Sequence, residues 1–379
     1  MRKNEPLRLF LCGDVMIGRG IDQILPFHCD PTIFEPYSKD ARDYVRLAEK
    51  LTGPIPSPVS PRYIWGDALD DLDKMSPDLR IINLETAITN DGVPWPGKGI
   101  NYRTHPKNVS TLIAARVNCS ALANNHTLDW GYAGLEETLL TLKEAGIEAV
   151  GAGKNGEEAE TPAIMDVKGK GRVLVFSFGS EDSGIPEDWA AREHRPGINL
   201  LPASIDQGVS TIRERVDATK APGDIAVLSV HWGGNWGYRI PEDQVELAHS
   251  LIDVAGIDIV HGHSSHHVKG IEVYRQKLIL YGCGDFLTDY EGIAGYKRFR
   301  PELGLMYFAE IDPAGGKLES LKMIPTRVGR FQVNRALPKD AEWIADLLSR
   351  EGKRFGTSVE IGSDKALILR WKTNGQTRE

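Results

Sequence analysis

This chain of 379 residues lacks paired cysteines, long apolar runs, an excess of positive charge and any low-complexity tract. Each absence removes a class of protein. Cys12, Cys29, Cys119 and Cys283 stand alone, with no Cys-x-x-Cys pair, so neither a disulfide scaffold nor a cysteine metal site is expected. Three of them lie in or beside apolar strand candidates, where a free thiol behaves as a small core residue. No stretch approaches the roughly 20 apolar residues that cross a bilayer. The first apolar run, Leu7 to Cys12, is interrupted by Arg8 and meets Asp14, too short for a signal-peptide core. The chain is therefore expected to be cytoplasmic, with no membrane span. A formal net charge of −8 offers no general attraction to nucleic acid, so no nucleic-acid partner is expected.

What remains is a globular composition, 41% apolar, over enough length to bury a large core. Leu7 to Cys12, Leu79 to Leu84, Cys119 to Ala123, Ile225 to Val230 and Ile257 to Val260 read as buried strands. Gly131 to Ala145 carries Leu135, Leu139 and Leu142 at helical spacing, with Gly146 as a stop. Pro241 to Ala255 is a second amphipathic helix, with Val245, Ala248 and Ile252 expected to face inward. Ala163 to Val167 with Val173 to Phe178, and Ile271 to Tyr274 with Leu278 to Tyr281, read as hairpins. Seven prolines between residues 26 and 66 make that region loop-rich with short helices. Hairpins beside strand–helix units favour an α/β fold of two packed mixed sheets flanked by helices. Residues 338 to 354 read as a charged helix and Ser358 to Trp371 as a last pair of strands. Residues 331–379 are thus an appendage packed on one large domain, 1–330.

Five short polar sequences each close or follow an apolar strand: Gly13-Asp14, Asn83-Leu84-Glu85, Asn124-Asn125-His126, His231-Trp232-Gly233 and His261-Gly262-His263-Ser264-Ser265-His266. They are built from residues that hold divalent ions or move protons. Strand ends on one sheet edge can converge, so their order points to a metal-dependent site. Asp14 alone reads equally well as a helix N-cap, and His231 alone as a hydrogen-bonded core residue. The histidine run is harder to explain otherwise: His261, His263, His266 and His267 are four of the chain's ten histidines within seven positions. Imidazole favours transition metals over magnesium or calcium, which predicts Mn, Fe or Zn. Asn125 offers a neutral oxygen ligand and His126 a proton-transfer group, with Asp129 nearby to orient it. Arg19, Tyr102, Arg103, Trp236 and Tyr238 are candidates for shaping a substrate pocket.

These stretches resemble the CapA-type proteins, associated with poly-γ-glutamate capsule synthesis, within the calcineurin-like metallophosphatase superfamily. The match is carried by Gly13 to Arg19, Asn83 to Thr86, Ala123 to Asp129, His231 to Gly233 and Gly262 to His266, and covers about residues 7 to 290. The resemblance implies a four-layer α/β/β/α sandwich around one or two divalent ions. It implies Asp14, Glu85, Asn125, His231, His263 and His266 as metal ligands, with Glu85 bridging and His126 acting on the leaving group. The wider superfamily has Asp-x-His at its first motif, where this chain has Met16. Asn83-Leu84-Glu85 replaces its bridging Gly-Asp, Ser264-Ser265 stands where His-Pro is frequent, and Gly284-Asp285-Phe286 where Gly-Asn-Phe is common.

The functional expectation is a metal-dependent hydrolase acting through activated water on a phosphoester or a γ-glutamyl-type amide, with a small molecule or γ-glutamyl polymer as substrate. The alternative is a non-catalytic accessory protein of poly-γ-glutamate capsule biosynthesis. A third reading is a metal-stabilised structural domain without an open coordination position.

Overall fold

The computed structural model describes residues 5–293, 295–373 and 376–377. Two mixed sheets lie face to face. The larger has eleven strands among the described residues; its main path runs Thr357–Ile361, Leu367–Thr373, Leu318–Gly329, Leu303–Ile311, Leu7–Val15, Leu79–Leu84, Cys119–Ala121, Glu148–Val150. Leu7–Val15 pairs in parallel with Leu79–Leu84 and antiparallel with Leu303–Ile311. The second sheet, of six strands, runs Ile271–Tyr274, Lys277–Leu280, Ile259–His263, Ile225–His231, Gly171–Gly179, Ala163–Val167. Both expected hairpins form at its edges.

Strand alternation sorts side chains into three apolar layers. Leu7, Leu9, Leu11 and Ile81 meet Val173, Val175, Val227 and Ile259 in the core between the sheets. Phe10 and Cys12 turn the other way, onto helices that include Arg42–Thr52, Ala68–Met75 and Gly131–Glu144. On the far side, Leu174, Phe176, Ala226 and Leu228 pack on helices Ile205–Thr219 and Glu242–Asp253. The layers are therefore α/β/β/α, each sheet burying both faces. In Glu242–Asp253 the buried stripe is Gln244, Leu247, Ala248 and Leu251, one position round from the expected face. Val245 and Ile252 flank it half-buried, because the apolar stripe of a packed helix is broad.

The C-terminal segment contributes to the central core. Helix Pro338–Gly352 places Ile344, Leu347 and Leu348 among the inter-sheet residues, beside Leu367 and Leu369. It touches Leu318–Gly329 of the first sheet and Ile271–Tyr274 of the second, closing the core along one side. All four cysteines are buried free thiols. Among the described residues, no helix is long and apolar enough to cross a membrane.

One strand irregularity decides which way Asp14 faces. On Leu7–Val15, Leu11 pairs with Ile81 but Asp14 pairs with Asn83, so three steps on one strand match two on the other. This β-bulge reverses the alternation. Without it, Asp14 would point to the helix side with Phe10 and Cys12; with it, Asp14 joins Asn83 on the inter-sheet side.

Candidate metal centre

The site lies where the parallel strands of both sheets end. In the second sheet, Ile225, Val227, Ser229 and His231 share the inner face, and His231 stands in register with His263 on the next strand. Apolar side chains fill that face until the sheet ends, where polar ones replace them. From the first sheet comes Asp14, fully buried, with Oδ1 accepting a hydrogen bond from Asn83 Nδ2 at 2.8 Å. Asn124 in turn holds Asn83 at 3.1 Å and the Leu84 carbonyl at 2.9 Å, fixing the strand end that carries Glu85.

Hydrogen bonding defines the tautomers. His261 Nε2 donates to the Cys12 carbonyl at 2.7 Å, which leaves its Nδ1 as an acceptor for the Ser229 hydroxyl at 3.2 Å. Ser229 Oγ can then accept from His263 Nε2, 2.9 Å away, leaving a bare lone pair on His263 Nδ1. Asn125 Oδ1, an acceptor only, takes the Nε2 proton of His231 at 3.1 Å, so His231 Nδ1 is also bare. These two nitrogens stand 2.7 Å apart, and His263 Nδ1 is 4.0 Å from Asp14 Oδ1. Two lone pairs and a carboxylate oxygen facing one another repel unless a cation lies between them. The donor set of Asp14, His231 and His263 fits a transition metal.

Electrostatics point the same way. Burial holds the His231 and His263 imidazoles well below their ordinary pKa, so both are neutral ligands at pH 7. Burial, then the nearby Asp285 carboxylate, raises Asp14 to about 7. Glu85 is pushed up by burial and then by Asp14 and Asp285. Three carboxylates, Asp14, Glu85 and Asp285, thus crowd one another, with His266 opposing the shift at Asp14 and Lys98 that at Glu85.

His126 sits beside this group. Its Nδ1 donates to Asp129 Oδ2 at 2.6 Å, and its Nε2 is 3.7 Å from Glu85 Oε1. Burial lowers its pKa to about 4 although Asp129 opposes the shift, so the ring is neutral with an acceptor at Nε2. Tyr102 stacks on it at 3.9 Å, and the Tyr102 amide donates to Asp129 at 2.6 Å. Lys98 pairs with Asp129 and donates to the Asn125 carbonyl.

A cleft of about 490 Å³ opens over these groups, lined by Glu85, Asn125, His126, His231 and His266. Trp236 forms one wall, stacked at 4.0 Å on Tyr296. Of the expected pocket residues, Arg19 reaches the cleft but is buried against Glu35 and Asp289, so its charge is already paired. Arg103 is not on the cleft wall; its guanidinium covers Trp130 at 3.6 Å. Tyr238 packs on His267 and Phe299 instead. His261 and His267 are both committed to hydrogen bonds. Lys98 and Tyr290 line the cleft without having been singled out from sequence, since a loop lysine and tyrosine carry no motif signal. Asp285 is the larger omission: it is buried beside Asp14 in strand register.

Comparison with known proteins identifies the family of the chain. The family model described as bacterial capsule synthesis protein PGA_cap matches residues 8–290. A probable polyglutamine synthesis accessory protein of Mycobacterium tuberculosis is 50% identical over 364 residues, 96% of each chain. The PGA biosynthesis protein CapA of Bacillus subtilis is 30% identical, over 82% of this chain and 70% of its own. The capsule biosynthesis protein CapA of Bacillus anthracis is 26% identical, over 89% of this chain and 74% of its own. The chain belongs to the PGA_cap family of bacterial capsule synthesis proteins.

Proposed function

We propose that this protein is a metal-dependent hydrolase serving γ-glutamyl polymer synthesis, cleaving a γ-glutamyl-type amide or a phosphoester in its cleft. The observation that carries this reading is the convergence of two bare imidazole lone pairs and the Asp14 carboxylate within 4.8 Å, next to the His126–Asp129 pair. Asp14, His231 and His263 would hold a divalent ion, Mn, Fe or Zn, with Glu85, Asn125 and His266 close enough to the cleft to join it. Such an ion supplies an activated water and stabilises the negative oxygen that develops on attack. The protein's own part is positioning. Asp129 fixes the Nδ1 proton of His126, so Nε2 faces the cleft as the site that takes up and returns a proton. Tyr102 holds that ring in plane, and Trp236 with Tyr296 offers an apolar wall against which an extended chain can lie.

The name of the mycobacterial relative, a polyglutamine synthesis accessory protein, favours a second reading, an accessory protein that binds polymer or partner without turnover. The two part on one assay. Chelator-treated protein is reloaded with Mn, Fe or Zn and offered phosphomonoesters, phosphodiesters and γ-glutamyl anilides. Metal-dependent release of product supports the hydrolase; bound metal with no turnover on any of them supports the accessory role.

A further inference from the structure

We propose that Asp285 is a metal ligand, forming with Asp14 and His266 a second, oxygen-rich ion position beside the histidine-rich one. This rests on the metal-dependent reading above and names the composition of its second half.

The geometry begins with the backbone. Leu7–Val15 and Asp285–Leu287 run in parallel, with Asp14 in register with Asp285, and the Asp14 amide donates to the Gly284 carbonyl at 3.0 Å. The strands approach so closely that a Cβ on Gly13 would sit 1.7 Å from that carbonyl oxygen. The closeness places two buried carboxylates side by side with a single imidazole, His266, against them, and two carboxylates in one buried place favour a cation. Ligand atoms of Asp14, His266 and Asp285 all lie within 4.8 Å of one another. Asp14 Oδ2 and Asp285 Oδ2 are buried and have no hydrogen-bond partner among the described residues. Each carboxylate thus keeps one buried oxygen that no described side chain or backbone group satisfies.

Met16 offers no help there: its sulfur accepts the Gly18 amide at 3.2 Å. The residue two beyond Asp14 therefore supplies no ligand, and Asp285, delivered by the neighbouring strand, supplies one in its place. His266 Nδ1 is 2.9 Å from Asp285 Oδ1, and its Nε2 is 3.0 Å from Asn235 Nδ2. With the Asn235 amide turned to present its oxygen, Nε2 carries the proton and Nδ1 is free for the ion. Asp14 belongs to both triads, so it is the shared carboxylate. One position has two imidazoles and a carboxylate, the other two carboxylates and an imidazole. The second is the harder and favours Mn or Fe(II) over Zn.

The alternative role for Asp285 is to orient His266 through a hydrogen bond, and D285N separates the two. An asparagine oxygen still accepts the His266 proton but removes the charge. Wild-type and D285N proteins, both checked for folding by circular dichroism, are dialysed against Mn(II) and analysed for bound metal. The expected result is two ions per wild-type chain and one per D285N chain. Two ions retained by D285N with unchanged affinity would overturn the inference. A single ion in both proteins would also overturn it while leaving the metal reading intact, and a metal-free wild type would remove that reading itself. Electron paramagnetic resonance of Mn-loaded wild type needs no variant. A coupled multiline spectrum is expected from ions sharing Asp14, and isolated six-line signals alone would contradict it.

Discussion

Among single residues, the proposed centre depends on where protons sit. Ser229 has no charge and touches no ligand space, yet it sets the tautomer of His263. Ser229→Ala is expected to weaken metal binding by about 10–100-fold, the usual effect of losing a ligand's outer partner, in a chelator competition titration. His126→Ala should leave metal content unchanged and lower hydrolysis by about 10²–10⁴-fold, the range for a lost proton-transfer group. Asp14 makes a pH prediction with a definite sign. Burial and Asp285 raise its folded pKa to about 7 from an ordinary 3.8. A group raised on folding stabilises below its unfolded pKa and loses that contribution as pH rises through the folded value. Metal-free wild type should therefore lose stability relative to Asp14→Asn between about pH 4 and pH 7, read from thermal melts in chelator. Adding a divalent ion should remove the difference in slope.

At the scale of elements, the strand ends were legible in sequence because apolar runs stop where the chemistry starts. His231 and His263 follow from simple alternation: each continues an inward-facing set of its strand. Asp14 does not. Counting by twos from Leu7, Leu9 and Leu11 puts it on the helix side, and only the bulge brings it in. The same blind spot hid Asp285, whose importance comes from a parallel neighbour 271 positions away in sequence. The helix stripe misplaced by one position in Glu242–Asp253 has a plainer cause, a broad apolar face with several acceptable centres. Gly13→Ala tests the strand approach. It should destabilise the fold by about 1–3 kcal/mol or more in urea unfolding, and reduce metal retention, because the added methyl collides with backbone rather than a movable side chain.

Across the whole molecule, the ends of parallel strands in both sheets bring the candidate ligands to one edge. Hairpins beside strand–helix units anticipated two packed mixed sheets flanked by helices, and the family resemblance added the four-layer α/β/β/α order. The role of the last helix was less legible, as a charged pattern says little about what its apolar side covers. Ile344 is fully buried between the sheets, whereas Leu337 just before that helix is half-exposed. Ile344→Ala should cost about 2–5 kcal/mol and Leu337→Ala about 0.5 kcal/mol or less, measured by denaturant unfolding.

Buried imidazole and carboxylate groups from both sheets are proposed to hold a divalent ion that the cleft uses for hydrolysis. Metal analysis of the purified full chain, paired with turnover of phosphoester and γ-glutamyl substrates before and after chelation, tests it most directly. Tightly bound transition metal is expected, with turnover that disappears with chelator and returns on reloading, and loss of both metal and turnover in Asp14→Ala. A folded, metal-free protein that takes up no Mn, Fe or Zn would contradict it.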